Sequence, residues 1–185
     1  MWIFVSGLVL FFILHFATAT PSVRQRVALI TGQNTWRAFV ALGSLGAVVL
    51  IFLGWQHAPS TLLFAPSLFA IKAAPVLVTV ALVLFVIGGG NLKGYIKRTL
   101  HHPMLVGVIL WSGTHLLANG DVRTTLLFGT FLAFSIYALS SLLLAGKRAT
   151  FTPAWKWDVI GVGMGLFIAI GVMHSHKLLF GVAAI

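Results

Sequence analysis

Residues Ala73–Leu92 read AAPVLVTVALVLFVIGGGNL, a stretch of twenty residues without a charge. A helix rises 1.5 Å per residue, so this stretch reaches about 30 Å, the thickness of a bilayer's hydrocarbon core. Pro75 falls in what we expect to be its first turn, where a missing N–H does no harm. Gly88-Gly89-Gly90-Asn91 closes it. As a phosphate-binding loop that glycine run fails, because no strand precedes it and no GK[ST] follows. Outward from this segment lie five further apolar runs: Trp2–Thr20, Ala38–Trp55, Pro103–Ala118, Thr124–Ala145 and Val159–Met173. The last can extend through His174–His176. Pro21 follows the first run, Pro103 opens the fourth, and Pro153 lies before the sixth. Ser60–Ile71 is apolar but short and carries Pro66, which reads as an interfacial or re-entrant loop. The expected fold is all-α, a polytopic transmembrane bundle of about six spanning helices in a single domain over residues 1–185.

Composition narrows the class further. Of 185 residues, 59% are hydrophobic and 8% charged, against roughly 25% charged in an ordinary soluble domain. So little charge cannot cover a water-facing surface. The chain has no cysteine, which excludes a disulfide scaffold and a thiolate metal site. Asp121 and Asp158 are the only acids, too few for a paired-carboxylate active site or a carboxylate metal cage. The net charge of +10 does not point to nucleic acid, because the cations are clustered between apolar runs. Nine sit in alternate gaps: Arg24, Arg26, Arg37, Lys93, Lys97, Arg98, Lys147, Arg148 and Lys156. Lys72, Arg123 and Lys177 stand alone in the others. By the positive-inside rule the nine face the cytoplasm, and both termini lie on the non-cytoplasmic side. The partner this implies is a lipid bilayer, with no nucleic acid. Ala17-Thr18-Ala19 mimics a signal-peptidase site, but no Lys or Arg precedes the run, so an uncleaved first helix is expected. Gly161-x-x-x-Gly165 permits close helix packing.

Histidine is the informative polar residue. Ionisable groups at membrane depth are costly and mark function by default. His15 and His115 fall within apolar runs, while His57, His101, His102, His174 and His176 fall near run ends. A histidine at a run end sits in the headgroup layer; one within a run either hydrogen-bonds across helices or ligates. Structural zinc takes four ligands. A haem iron takes one or two, and its macrocycle fits between apolar helices. Haem is therefore the economical cofactor for this residue set. Arg37, Lys97, Arg98 or Arg148 can pair with its propionates, and Trp36, Trp55, Trp111, Trp155 or Trp157 can pack on it, although tryptophan also belongs to the interfacial belt. From the run ends, His15 lies about 7.5 Å and His115 about 18 Å along their helices. That offset leaves His115 with His174, and His15 with His102, as alternatives to the pair His15 with His115. Asn119-Gly120-Asp121 reads as a helix C-cap followed by the N-cap of the next helix.

The run from Asn91 through Lys97-Arg98-Thr99-Leu100-His101-His102-Pro103-Met104, with Gly107, Trp111 and His115-Leu116-Leu117-Ala118-Asn119-Gly120-Asp121, resembles the NnrU family of bacterial membrane proteins. The specific part is H-P-M-x-x-G-x-x-x-W-x-x-x-H-L-x-A-N-G-D. Weaker similarity covers Gly7 and His15, the turn Gly32-Gln33-Asn34-Thr35-Trp36-Arg37, and His176-Lys177-Leu178-Leu179-Phe180-Gly181-Val182. Gln33 stands where the family often has Glu, and Ala183-Ala184-Ile185 where Ser-Pro is usual. The resemblance implies a multi-pass protein of the bacterial inner membrane, linked to nitrite and nitric oxide metabolism and partnered by other membrane proteins of that metabolism. The wider superfamily includes 15-cis-zeta-carotene isomerase, a haem b protein, and that likeness implies axial ligands at His15 and His115.

Three functions follow as expectations. The first is a haem b membrane protein of nitrogen-oxide metabolism, with His15, His115, His102, Trp111 and Arg37 about the cofactor. The second is a haem-dependent cis–trans isomerase of a polyene. The third is a cofactor-free assembly or interaction factor. If the chain is an enzyme, it is an isomerase or a redox protein.

Overall fold

The computed structural model describes residues 1–181; the side chains of Leu179 and Phe180 and residues 182–185 lie outside the description, so Val182 and the Ala183-Ala184-Ile185 end are not placed. The described residues form helices α1 (Trp2–Ala19), α2 (Pro21–Thr31), α3 (Gln33–Trp55), α4 (Leu68–Gly89), α5 (Tyr95–Leu100), α6 (Pro103–Asn119), α7 (Val122–Leu144) and α8 (Trp155–Phe180). Two compact units divide the chain, Met1–Thr61 and Leu62–Ile185. Five helices, α1, α3, α4, α7 and α8, are long and apolar enough to cross a membrane. The fourth expected run is α6, uncharged but 17 residues long, or about 25 Å.

In the first unit α1 packs along α3, and α2 joins them. Glycine lets the two spans approach. A Cβ on Gly7 would meet the Ala47 carbonyl at 2.9 Å and the Ile51 nitrogen at 2.7 Å, and one on Gly54 would strike the backbone of Phe4. Between lipid-facing helices, packing of small residues supplies the association that hydrophobicity cannot. Phe4 is fully buried at this contact and meets Trp55 edge to face.

In the second unit α4 is central, packed against α6 and α8, and α6 also packs on α7. Gly107 brings α6 onto the backbone of α4, where a Cβ would meet the Ala81 carbonyl at 2.6 Å. The Gly161-x-x-x-Gly165 spacing serves the same purpose in α8: a Cβ on Gly161 would meet the Ile87 side chain, and one on Gly165 would meet the Cα of Val83, each at 2.6 Å.

Several boundaries differ from the sequence expectation. Helix α4 begins at Leu68, because the Ser67 hydroxyl accepts from the Ala70 amide and nucleates a turn inside the supposed loop. Pro75 and Lys72 are therefore within the helix, Pro75 in its interior and not in its first turn. A proline leaves the carbonyl four residues earlier without its helical donor. The gap after α1 is itself a helix, α2, with Pro21 at its first position. Helix α8 starts at Trp155 and runs past His176.

Candidate functional site

His115 lies one turn before the end of α6. Its Nδ1 donates to the Trp111 carbonyl at 2.9 Å, one turn back. In the neutral ring that fixes the tautomer, with the proton on Nδ1 and the lone pair on Nε2. Aromatic rings hold the imidazole: Phe128 at 4.6 Å and Trp111 at 5.4 Å between centroids. Trp111 is in turn wedged edge-on by Phe128 at 5.0 Å and Phe131 at 5.6 Å. The W-x-x-x-H spacing thus does a specific job. It places a ring and a carbonyl one helical turn below the histidine. Ser112 and Thr114 are buried on the same helix, and Ser112 turns its hydroxyl back to the Val108 carbonyl at 2.6 Å. His174 of α8 is exposed and bonds the Ile170 carbonyl of its own helix at 2.8 Å.

His15 belongs to the first unit and repeats the arrangement. Its Nδ1 donates to the Phe11 carbonyl at 2.8 Å, and its ring stacks on Phe11 at 3.9 Å. The structure therefore gives His15 and His115 the same oriented tautomer, each one turn before the end of its helix, and His174 makes the same bond on α8.

The strap over the His115 end of the second unit is irregular backbone tied to that end by three amide bonds. Leu63 and Phe64 amides donate to the Gly120 carbonyl, at 2.8 and 3.2 Å, and Ser67 donates to the Leu117 carbonyl at 2.8 Å. Gly120 is left-handed, φ 87°, as a helix C-cap requires, and a side chain there would strike the Phe64 carbonyl. Asp121 caps α7, accepting from the Arg123 and Thr124 amides at 3.1 Å each. Asn119 donates to the His115 carbonyl at 2.6 Å.

At the opposite end, His102 sits at the start of α6. Its Nε2 donates to the Lys147 carbonyl at 2.7 Å, so this ring ties the loop after α7 and keeps only Nδ1 for other partners. Arg98 bonds the Ala149 carbonyl of the same loop. Lys97 donates to the Gly90 and Gly88 carbonyls, at 2.7 and 3.3 Å, where a cation suits the negative end of α4. His101 is the centre of a tight turn with φ 61°, in which the His102 amide bonds the Leu100 carbonyl at 2.6 Å. Its Nδ1 is buried without a hydrogen-bond partner.

Two features escaped the sequence reading. Asp158, in the first turn of α8, accepts from the Tyr95 amide at 2.7 Å and the Ile96 amide at 3.0 Å. It caps a helix 63 positions away in sequence, and no local spacing signals that. The second is a cavity of about 770 Å³ in the first unit, bordered by Thr18, Arg24, Gln25, Gln33, Trp36 and Arg37. Arg37, expected beside a cofactor, lies here.

Among the described residues no group of three or more His, Cys, Asp or Glu is arranged to hold a metal ion. The family model described as NnrU protein matches residues 3–184. The chain belongs to the NnrU family. Nothing among the curated proteins and nothing among the solved structures matches this NnrU chain. The strongest NnrU-like run, from His102 to Asp121, is the stretch that builds α6, its aromatic histidine pocket and its cap.

Proposed function

We propose that this NnrU-family membrane protein binds haem b through histidine and acts in nitrite or nitric oxide metabolism at the bacterial inner membrane. The observation that carries the reading is the His115 ring. Its Nδ1–H is held by the Trp111 carbonyl, and Phe128 and Trp111 fix its plane. An imidazole that ligates iron commonly donates its other nitrogen to a backbone carbonyl, which orients it and raises its basicity. The donor set suits haem better than a free ion, since a haem iron needs only one or two imidazoles and no three-ligand group is present among the described residues. His15 has the same tautomer and is the second candidate ligand. His102 is a weaker one, with Nε2 held by the Lys147 carbonyl. Bound haem supplies an iron that takes up nitric oxide when an axial position is exchangeable. The chain's own part is to orient the imidazole, stack aromatic surface beside it and keep the site apolar. The ends carrying the nine clustered cations face the cytoplasm under this reading.

The test is a reduced-minus-oxidised absorption spectrum of the full chain in detergent, with His115→Ala and His15→Ala alongside. A b-type spectrum in the parent chain, lost or shifted in His115→Ala and shifted again when nitric oxide meets the reduced protein, is the expected result. Folded protein without haem, after expression with ample haem, overturns the reading and leaves a cofactor-free interaction factor.

A further inference from the structure

The first unit has three arginines and no acid, because both carboxylates of the chain are in the second. Arg24 and Arg37 border one cavity together with Gln25 and Gln33. Neither guanidinium has a hydrogen-bond or ion-pair partner among the described residues. The cavity has apolar walls as well: Trp36, itself 8% exposed, with Ala28 and Val40. Helix α2 forms one side and buries none of its residues, and Leu29 and Ile30 on it are 86% and 85% exposed. This helix joins two spans and presents both arginine and bare aliphatic surface, chemistry that suits the headgroup layer. The N-terminus of α3 opens at the same end with no side-chain cap, so its first amides add to the positive potential.

We propose that this cavity binds an anionic phospholipid, with the phosphodiester between Arg24 and Arg37 and the glycerol end against Trp36 and Val40. Charge complementarity selects the head: planar guanidinium pairs phosphate in two parallel bonds. The apolar wall selects a lipid over a free anion. Carboxamides at Gln25 and Gln33 suit the hydroxyl or ester oxygens of the headgroup. The volume lies within the roughly 300–1,000 Å³ of small-molecule sites. The site stands apart from the haem reading, which would give Arg37 a propionate.

The experiment is native mass spectrometry of the full chain in detergent, titrated with dioleoyl phosphatidylglycerol or dioleoyl phosphatidylcholine, and with inorganic phosphate as competitor. Retention of phosphatidylglycerol, and not of phosphatidylcholine, is expected. The Arg24→Gln/Arg37→Gln double variant should weaken retention by about tenfold or more, while Arg26→Gln, on the same helix but outside the cavity, stays within about twofold. Ala28→Phe fills the cavity without changing charge and should produce the same loss, so the proposal stays testable if the double variant misfolds. Equal weakening by Arg26→Gln overturns it as a surface-charge effect. Displacement by inorganic phosphate at matching concentration overturns the lipid assignment. So does a double variant that loses haem absorption and keeps its phosphatidylglycerol.

Discussion

The two units are held together in different ways. In the first, His15, Thr18 and Thr31 each bond a carbonyl one turn back on their own helix, and α1 meets α3 through glycine contacts. In the second, polar side chains reach across loops: Asp158 to α5, Lys97 to the end of α4, His102 and Arg98 to the loop after α7. One of these four links comes from an acid, and three come from cations or imidazole donating to loop carbonyls. A carboxylate can satisfy two helix-terminal amides at once, and both carboxylates of the chain serve as such caps in the second unit. The first unit has three arginines and no acid of its own, and the anionic lipid proposed above would supply the counter-charge.

The contrast can be broken most forcefully at Gly54. Leucine there strikes the Phe4 backbone, and overpacking a close helix contact costs about 3 kcal/mol or more. Gly54→Leu should abolish the folded first unit, seen as new protease cleavage within α1 and α3, while Gly46→Leu, with open space around it, should be silent. If both are silent, glycine contact is not what joins these spans. Next in size is Asp158→Ala. It removes two hydrogen bonds to a charged group, a loss of about 3 kcal/mol. Thermal unfolding in detergent should shift down by about 5–10 °C, and hydrogen exchange should rise at Tyr95 and Ile96. An unchanged melting curve would remove the claim that the second unit depends on its acids. The smallest effect belongs to Arg123→Gln. The Arg123–Asp121 pair is 3.7 Å long and partly exposed, 29% and 17%, so its loss should cost under about 1 kcal/mol. A larger drop would mean that Arg123 supports the Asp121 cap, not merely a surface pair.

The fold was legible wherever it depends on neighbours along the chain. Uncharged runs of about twenty residues locate spans, and Gly120, Asp121 and Pro103 stand at the helix ends where their backbone chemistry puts them. The weak Gly161-x-x-x-Gly165 signal marks a real contact face with α4. Helix α2 was read as a gap because its arginines break the apolar run, although charge does not prevent a helix. The extended start of α4 was missed because Pro75 reads as a boundary, and one capping serine outweighs it. For the site, W-x-x-x-H was visible as spacing, but the bond from His115 Nδ1 to the Trp111 carbonyl needed coordinates.

The sequence by itself determined that this protein is an apolar, helical, membrane-type chain with clustered cations and oddly placed histidines. Those properties follow from composition and from one-turn periodicity, which are local. Tertiary structure alone decided that Asp158 caps α5, that His102 ties a loop 45 positions away, and that Arg24 and Arg37 border one cavity. Such pairings depend on which helix ends fold back beside one another. A hydrogen bond acts over about 3 Å, so only folded coordinates can say which distant residues come that close.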